Sequence, residues 1–196
     1  MFGRSAQAGD TLIEVLFAVT VFSLVAVSGL SIMNQGTATA QRSLEITLVR
    51  QEIDAQAETL RFIHDSYVAA FPHVVTGEAS SVWDGLVAES LDVNKASEYG
   101  TTCAPPENAF ILNPKLAQIV AAKPIPIVQT YSQLRYSVLD PLKVDSAEGI
   151  WVEAVRSNVV STTSGFIDFH IRACWQSPGQ TAPMTLGTIV RLYEPR

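Results

Sequence analysis

The sequence predicts an α+β chain: a long N-terminal helix, transmembrane in its first half and amphipathic in its second, packed on a four-stranded antiparallel sheet. Three observations carry this expectation. Val15 to Met33 is nineteen residues without a charge or a proline. No proline interrupts the chain until Pro72, and apolar residues before it recur at three- and four-residue steps. The C-terminal part instead alternates apolar and polar residues in short runs separated by turn signals. The boundaries that follow are 1–9 for a leader, 10–34 for the transmembrane helix, 35–71 for its amphipathic continuation, 72–126 for an irregular region and 127–196 for the sheet.

Composition narrows the function. With 47% hydrophobic and 16% charged residues among 196, the chain is too apolar to be disordered as a whole. Thirteen basic against nineteen acidic residues give a net charge of -6, so binding of a phosphate backbone over the whole surface has no electrostatic support. Two cysteines and three histidines show no CxxC or HxxxH spacing, which disfavours a metal site. No G-x-S-x-G, Walker A, dinucleotide fingerprint or zinc-protease helix is present. The sequence therefore points to no catalytic residue, no cofactor and no metal, and to a protein that is not an enzyme.

The apolar run, at about 1.5 Å per residue, spans roughly 28 Å of helix, one bilayer crossing. No second run approaches this length. Arg4 and the amino terminus precede it and the next basic residue is Arg42, so the slight positive-inside bias places the N-terminus in the cytoplasm and the head outside. A secretory signal peptide is a rival, since Ala38-Thr39-Ala40 before Gln41 supplies a cleavage site. Against it, the run exceeds the about 7–15 residues of an ordinary signal core, and Glu14 stands close to its start. A plain uncleaved anchor is the other rival, and it gives the residues at the mouth of the helix no role.

Those residues are Gly9 followed by Asp10-Thr11-Leu12-Ile13-Glu14-Val15. A glycine, then T-L-I-E-V opening a transmembrane helix, resembles the N-terminal signal of type IV prepilins and pseudopilins. The resemblance covers about 25 residues and implies that prepilin peptidase cleaves between Gly9 and Asp10 at the cytoplasmic face. It also implies N-methylation of the new first residue, with Glu14 as the fifth residue of the mature chain. Asp10 stands where the family usually carries Phe. The fold the family implies, a long helix laid on an antiparallel sheet, agrees with the periodicity.

The physics of Glu14 reaches the same place independently. An ionised carboxylate at the bilayer centre costs roughly 2.5–3.5 kcal/mol, so acids there are usually paired. The obvious partner after cleavage is the ammonium of Asp10 on a neighbouring subunit, which neutralises both groups and sets the register between subunits. The alternative is that Glu14 sits one turn from the interface and snorkels to headgroup water.

Past the membrane, Leu44, Leu48, Val49, Ile53, Ala57, Leu60, Ile63 and Tyr67 read as one apolar stripe, with Arg42, Glu45, Arg50, Glu52, Asp54, Glu58, Arg61 and Asp65 largely on the other sides. One helix from about Thr11 to Phe71, roughly 90 Å long, is the simplest reading. Fewer than four clean heptads favour packing on a sheet over a coiled coil. Gly29 and Gly36, seven apart, are places where helices approach closely or the backbone loosens, or simply glycines a membrane helix tolerates.

The region 72–126 is broken by Pro105-Pro106, Pro114, Pro124 and Pro126. Short helices are expected at Trp83–Leu91 and Pro114–Ala122, with Trp83, Leu86, Phe110 and Ile111 as anchors. Four strands are expected at Thr130–Leu139, Gly149–Arg156, Gly165–Trp175 and Met184–Tyr193. In the third, Ile167, Phe169, Ile171 and Ala173 alternate with Asp168, His170, Arg172 and Cys174, so one side meets the helix; Leu134, Tyr136 and Val138 in the first and Thr188, Val190 and Leu192 in the fourth do likewise.

Cys103 and Cys174 are the only cysteines, and outside the cytoplasm such a pair most simply forms one disulfide, stapling the irregular region over the outer side of the sheet. A catalytic cysteine working with His64, His73 or His170 is the rival, without a recognisable nucleophile motif. Arg135, Arg172 and Arg191, with Tyr193 nearby, share the outward parity of three strands. That arrangement suits an anionic surface or DNA, but Glu153 and Asp168 interleave, as in an ordinary solvated sheet face.

The functional expectation is a structural subunit, a major or minor pilin or a pseudopilin, of a type IV pilus or type II secretion-like filament. Gly9 and Asp10 mark processing; Thr11, Leu12, Ile13 and Glu14 serve assembly. The implied partners are prepilin peptidase, other pilin subunits in a homo- or hetero-polymer, the membrane platform of the assembly machinery and the lipid bilayer; DNA or a host surface has no support beyond the arginines. The chain would reside in the plasma (inner) membrane and be extracellular once in the filament. The competing class is a single-pass anchored or secreted extracytoplasmic ligand-binding or enzymatic domain.

Overall fold

The computed structural model describes residues 10–71, 78–88, 90–92, 103, 105–106, 108–113, 118–121, 135–136, 147–157 and 165–195. The elements run α1 (Asp10–Ala70), α2 (Glu78–Ala88), β1 (Leu91–Asp92), β2 (Phe110–Asn113), β3 (Gln118–Ala121), β4 (Arg135–Tyr136), β5 (Ala147–Glu148), β6 (Ile150–Arg156), β7 (Phe166–Trp175) and β8 (Met184–Tyr193). The architecture is α+β, a long N-terminal helix packed on an antiparallel sheet, as the periodicity predicts. The chain divides into two compact units, Met1–Ser43 and Leu44–Arg196.

In the first unit α1 is apolar and uncovered: the large hydrophobic side chains from Leu12 to Met33 are all exposed, and the helix is long and apolar enough to be a single membrane span. Three of its hydroxyls are satisfied within the helix. Thr20 donates to Phe17 O at 2.7 Å, Ser23 to Val19 O at 2.7 Å, and Ser28 to Leu24 O at 2.7 Å. A hydroxyl bonded to its own backbone needs no water, which lets Ser and Thr sit in an apolar surface at small cost.

In the second unit one side of α1 makes the core. Val49, Ile53, Ala57, Leu60 and Ile63 are buried among sheet residues Val152, Ala154, Phe169, Ile171 and Leu192, and Tyr67 packs against them. Leu44 and Leu48 do not join this stripe. They lie on the opposite side, 53% and 36% exposed, because at 100° per residue Leu44 is half a turn from Ile53. Glu45, expected on a solvent side, is instead 3% exposed and points inward with Val49.

The sheet runs β3-β2-β6-β7-β8, with β1 added in parallel at β6. β6, β7 and β8 form the expected antiparallel meander, with registers such as Ala154↔Phe169 and Phe169↔Val190. The turn between β7 and β8 uses Ser177-Pro178-Gly179-Gln180, closed by Gln180 N–H to Ser177 O at 3.1 Å, with Gly179 at φ 75°. Proline followed by a residue of positive φ suits a type II turn, and glycine adopts that φ without a Cβ clash.

The fourth place in the main sheet differs from expectation. Of the run Thr130–Leu139, the described Arg135–Tyr136 pairs with β5 in a separate two-stranded ladder. The side chains of Leu134, Tyr136 and Val138 lie outside the described residues. β2, from the region expected to be irregular, joins β6 through Phe110↔Val152. Its Phe-Ile-Leu-Asn run is buried throughout. A short strand buried on both sides has no polar alternation to reveal it. Residues 118–121 form β3 rather than part of a helix over Pro114–Ala122, as the β-branched Ile119-Val120 pair favours. α2 begins before Trp83 and ends at Ala88, and Leu91 belongs to β1. Trp83, Leu86, Phe110 and Ile111 are buried anchors, as expected.

A buried polar contact joins the helix to β2. Gln56, fully buried, donates Nε2–H to Leu112 O at 2.8 Å and accepts Leu112 N–H on Oε1 at 2.9 Å. The side-chain amide thus pairs with a strand peptide as a neighbouring strand would. Replacement by Leu preserves volume but orphans a buried N–H and C=O. Gln56→Leu is expected to destabilise the full chain in detergent by about 3 kcal/mol in chemical denaturation, against under ~0.5 kcal/mol for Gln51→Leu on the exposed side.

Candidate functional site: the uncovered helix and the outer sheet face

Gly9 lies outside the described residues. Asp10 and Thr11 form the first residues of α1, and their side chains lie outside the description too. Leu12 and Ile13 are 65% and 71% exposed, and Glu14 is exposed beside them. Leu12, Ile13 and Glu14 therefore form one uncovered patch at the start of the helix. Gly29 and Gly36 have open space where a Cβ would be, so none of the described residues demands glycine there.

The head's outer sheet face is partly closed. Cys103 and Cys174 form the expected disulfide, with Cα atoms 5.7 Å apart and both residues buried. Trp151, Glu153 and Val155 on the outward parity of β6 are buried as well, so β6 is covered on both sides. The Cys174 N–H donates to Gly149 O at 2.7 Å, which ties the bridge to the bend between β5 and β6.

Arg172 and Arg191 do not form an open cationic stripe. Arg191 holds Asp168 with two bonds of 2.7 Å, Nε–H to Oδ1 and a terminal N–H to Oδ2, and its guanidinium lies 3.9 Å from the centroid of Phe166. The Asp168 hydrogen bond raises the Arg191 pKa above its ordinary value. Arg172, its side chain 11% exposed, lies 4.0 Å from the fully buried Glu153. Arg172 and Arg191 each face a carboxylate and stand opposite Gly187 and Asp168 respectively, four residues apart along β8. Arg135 lies in β4, and its side chain is outside the described residues. Tyr193 is 57% exposed at the end of β8. The arrangement matches an ordinary mixed-charge sheet face, on which net attraction for an anion is largely cancelled.

Several polar residues emerge only in three dimensions. Glu45 Oε2 accepts Trp175 Nε1–H at 3.1 Å and Ser177 Oγ–H at 2.6 Å, joining α1 to the end of β7. The signal for it was the 45-49-53 spacing, which places this acid on the buried side. His64 donates Nε2–H to Tyr193 O at 2.8 Å and meets Trp83 edge-on at 5.0 Å, linking α1, α2 and β8. The rival reading of a nucleophilic cysteine fails for these residues, since Cys103 and Cys174 are bonded to each other.

His170 stands opposite Glu153 on β7. Burial lowers its pKa; Glu153 opposes the shift and Arg172 adds to it, with Asp168 also opposing.

No protein-family model, curated protein or solved structure matches the chain.

Two measurements check this geometry. Because the folded-state pKa of His170 lies below its unfolded value, its contribution to stability is complete above about pH 6.5 and is lost as pH falls further, when the unfolded chain takes up the proton first. The unfolding midpoint of His170→Gln should accordingly change less between about pH 7.5 and pH 5 than that of the native chain. Replacing both cysteines by Ser removes a constraint across a sequence separation of 71 and should cost about 4 kcal/mol in denaturant titration.

Proposed function

We propose that the chain is a structural subunit of a type IV pilus or type II secretion-like filament, a pilin or pseudopilin, processed after Gly9 and assembled by packing of α1. The observation that carries this reading is an uncovered apolar helix opening on Asp10-Thr11-Leu12-Ile13-Glu14-Val15, with an acid near the mouth of the apolar segment. A lone anchor needs only hydrophobic length, and a carboxylate inside it is a cost of a few kcal/mol. A subunit that meets a neighbour's new amino terminus turns the same carboxylate into a pairing group. Thr20, Ser23 and Ser28 are already bonded within the helix, and Glu14, the one acid near them, gains most from an amine.

In this scheme prepilin peptidase removes residues 1–9, the helix holds the subunit in the plasma membrane, and the assembly platform moves it into the filament. The disulfide-stapled head then faces the environment. The mixed-charge sheet face gives no support to DNA or a host surface as its ligand.

Mass analysis of the mature N-terminus tests the processing step. A start at Asp10 is the expected result; a start at Gln41 means secretion, an intact Met1 means a plain anchor, and either refutes the proposal. Glu14→Ala should leave the chain in the membrane yet lower its incorporation into filaments by about tenfold or more, the effect of losing roughly 1.4 kcal/mol or more per contact.

A further inference from the structure

A buried acid sets the route by which a pull on the apolar segment reaches the head. Among the described residues, those from Leu12 to Gln41 are all exposed, Arg42 is half-buried, and Glu45, 3% exposed, is the first buried side chain along the chain. Its Oε2 atom accepts both Trp175 Nε1–H at 3.1 Å and Ser177 Oγ–H at 2.6 Å, and both donors are themselves buried. Trp175 closes β7, and Ser177 belongs to the turn that leads into β8. One carboxylate oxygen therefore fastens the first head-bound turn of α1 to the sheet, and an ionised acceptor makes shorter and stronger bonds than a neutral one.

The far end of the helix is fastened to a different strand. His64 Nε2–H reaches the carbonyl of Tyr193, at the end of β8. From Glu45 to His64 the helix rises about 28 Å. From Met184, which stands opposite Trp175, to Tyr193 the strand β8 extends about 30 Å. The two elements run the same way over the same length, so the chain enters the head at one end, through Leu44, and reaches the other end at Tyr193. Tension between these ends drags α1 lengthwise over the sheet. Bonds loaded in this shear direction must yield together, whereas a helix lifted from one end gives them up one at a time. Apolar side chains slide past one another at little cost over the first ångström, but a hydrogen bond is lost within about that distance.

We infer that Glu45 is a tension clamp: with Trp175 and Ser177 it passes force from the membrane-spanning segment into the sheet and keeps α1 from sliding along it. The inference needs only a chain tethered through α1, so it holds for a filament subunit and for an anchored domain alike. Gln56, bonded twice to Leu112, is the next such contact along the helix, and His64 the third.

The test stretches the full chain in detergent at constant force and reads the lifetime of the folded head. Ala40→Cys, exposed on α1 ahead of the head, supplies one handle and a C-terminal tag the other; the native cysteines are bonded to each other, so the added thiol is the lone one. In this geometry Glu45→Gln should shorten the lifetime about tenfold, the effect of losing a hydrogen bond to a charged group. With the first handle moved to Ala69→Cys, exposed near the far end of α1, the helix peels from the His64 end. Glu45 then yields after the rate-limiting step, and the same substitution should change the lifetime less than about twofold. Ser177→Ala, which removes one donor and keeps the carboxylate, should act in the same direction under the first pull by a smaller factor, and it carries the test if Glu45→Gln does not fold. An equal shortening under both pulls means that Glu45 adds stability without directing force, and overturns the inference. An unchanged lifetime under the first pull overturns it as well. Neither result bears on the filament reading, which the mature N-terminus and Glu14→Ala test separately.

Discussion

The head is organised by the burial of one side of α1 against β6, β7 and β8. Val49, Ile53, Leu60 and Ile63 project onto a strand face made by Val152, Phe169, Ile171 and Leu192, and the turn-by-turn spacing of the first set sets the height at which each strand residue is met. α2 is held to the same ridge through Trp83, whose ring lies 5.8 Å from Tyr67 and 6.0 Å from Phe169. Removing a large side chain from this ridge would open a void that rigid strands fill poorly, so the cost falls on helix and sheet together.

Apolar contact alone would allow the helix to slide or roll on the sheet. Polar pairs with directional geometry remove that freedom. Gln56 engages a single peptide, Leu112, while Glu45 is held by Trp175 and Ser177 and His64 by the carbonyl of Tyr193. The three contacts reach β2, the end of β7 and the end of β8, so the helix is registered at separated points. Each is acceptable inside the head because its buried polar atoms meet partners there; unpaired, any one of them would be a penalty of a few kcal/mol.

The outer sheet face shows the opposite use of charge. Asp168 with Arg191, and Glu153 with Arg172, place each arginine beside an acid, leaving a face that is charged in composition and weak in net field. This is why the assembly reading rests on α1 and not on the sheet. Among the described residues the apolar part of the first unit of α1 is exposed throughout, and Leu44, Leu48 and Phe62 are exposed on its continuation in the head.

By itself the sequence determined what depends on neighbours a few residues away. The apolar length from Val15 to Met33, the helical phase of Val49 to Ile63, the alternation in β7 and the Pro178-Gly179 turn are all local periods or local backbone preferences, readable without a partner. The cysteine pair was legible because the chain has no other pairing to offer. Tertiary structure decided everything whose meaning lies across the chain: β2 as a sheet strand in place of the 130–139 run, the inward acid at Glu45, the Gln56–Leu112 pairing and the arginines' carboxylate partners. It also divided the expected single stripe of α1 in two, sending Leu44 and Leu48 outward. A helix carries apolar groups on more than one side at no local penalty, and only the position of the sheet determines which side is core.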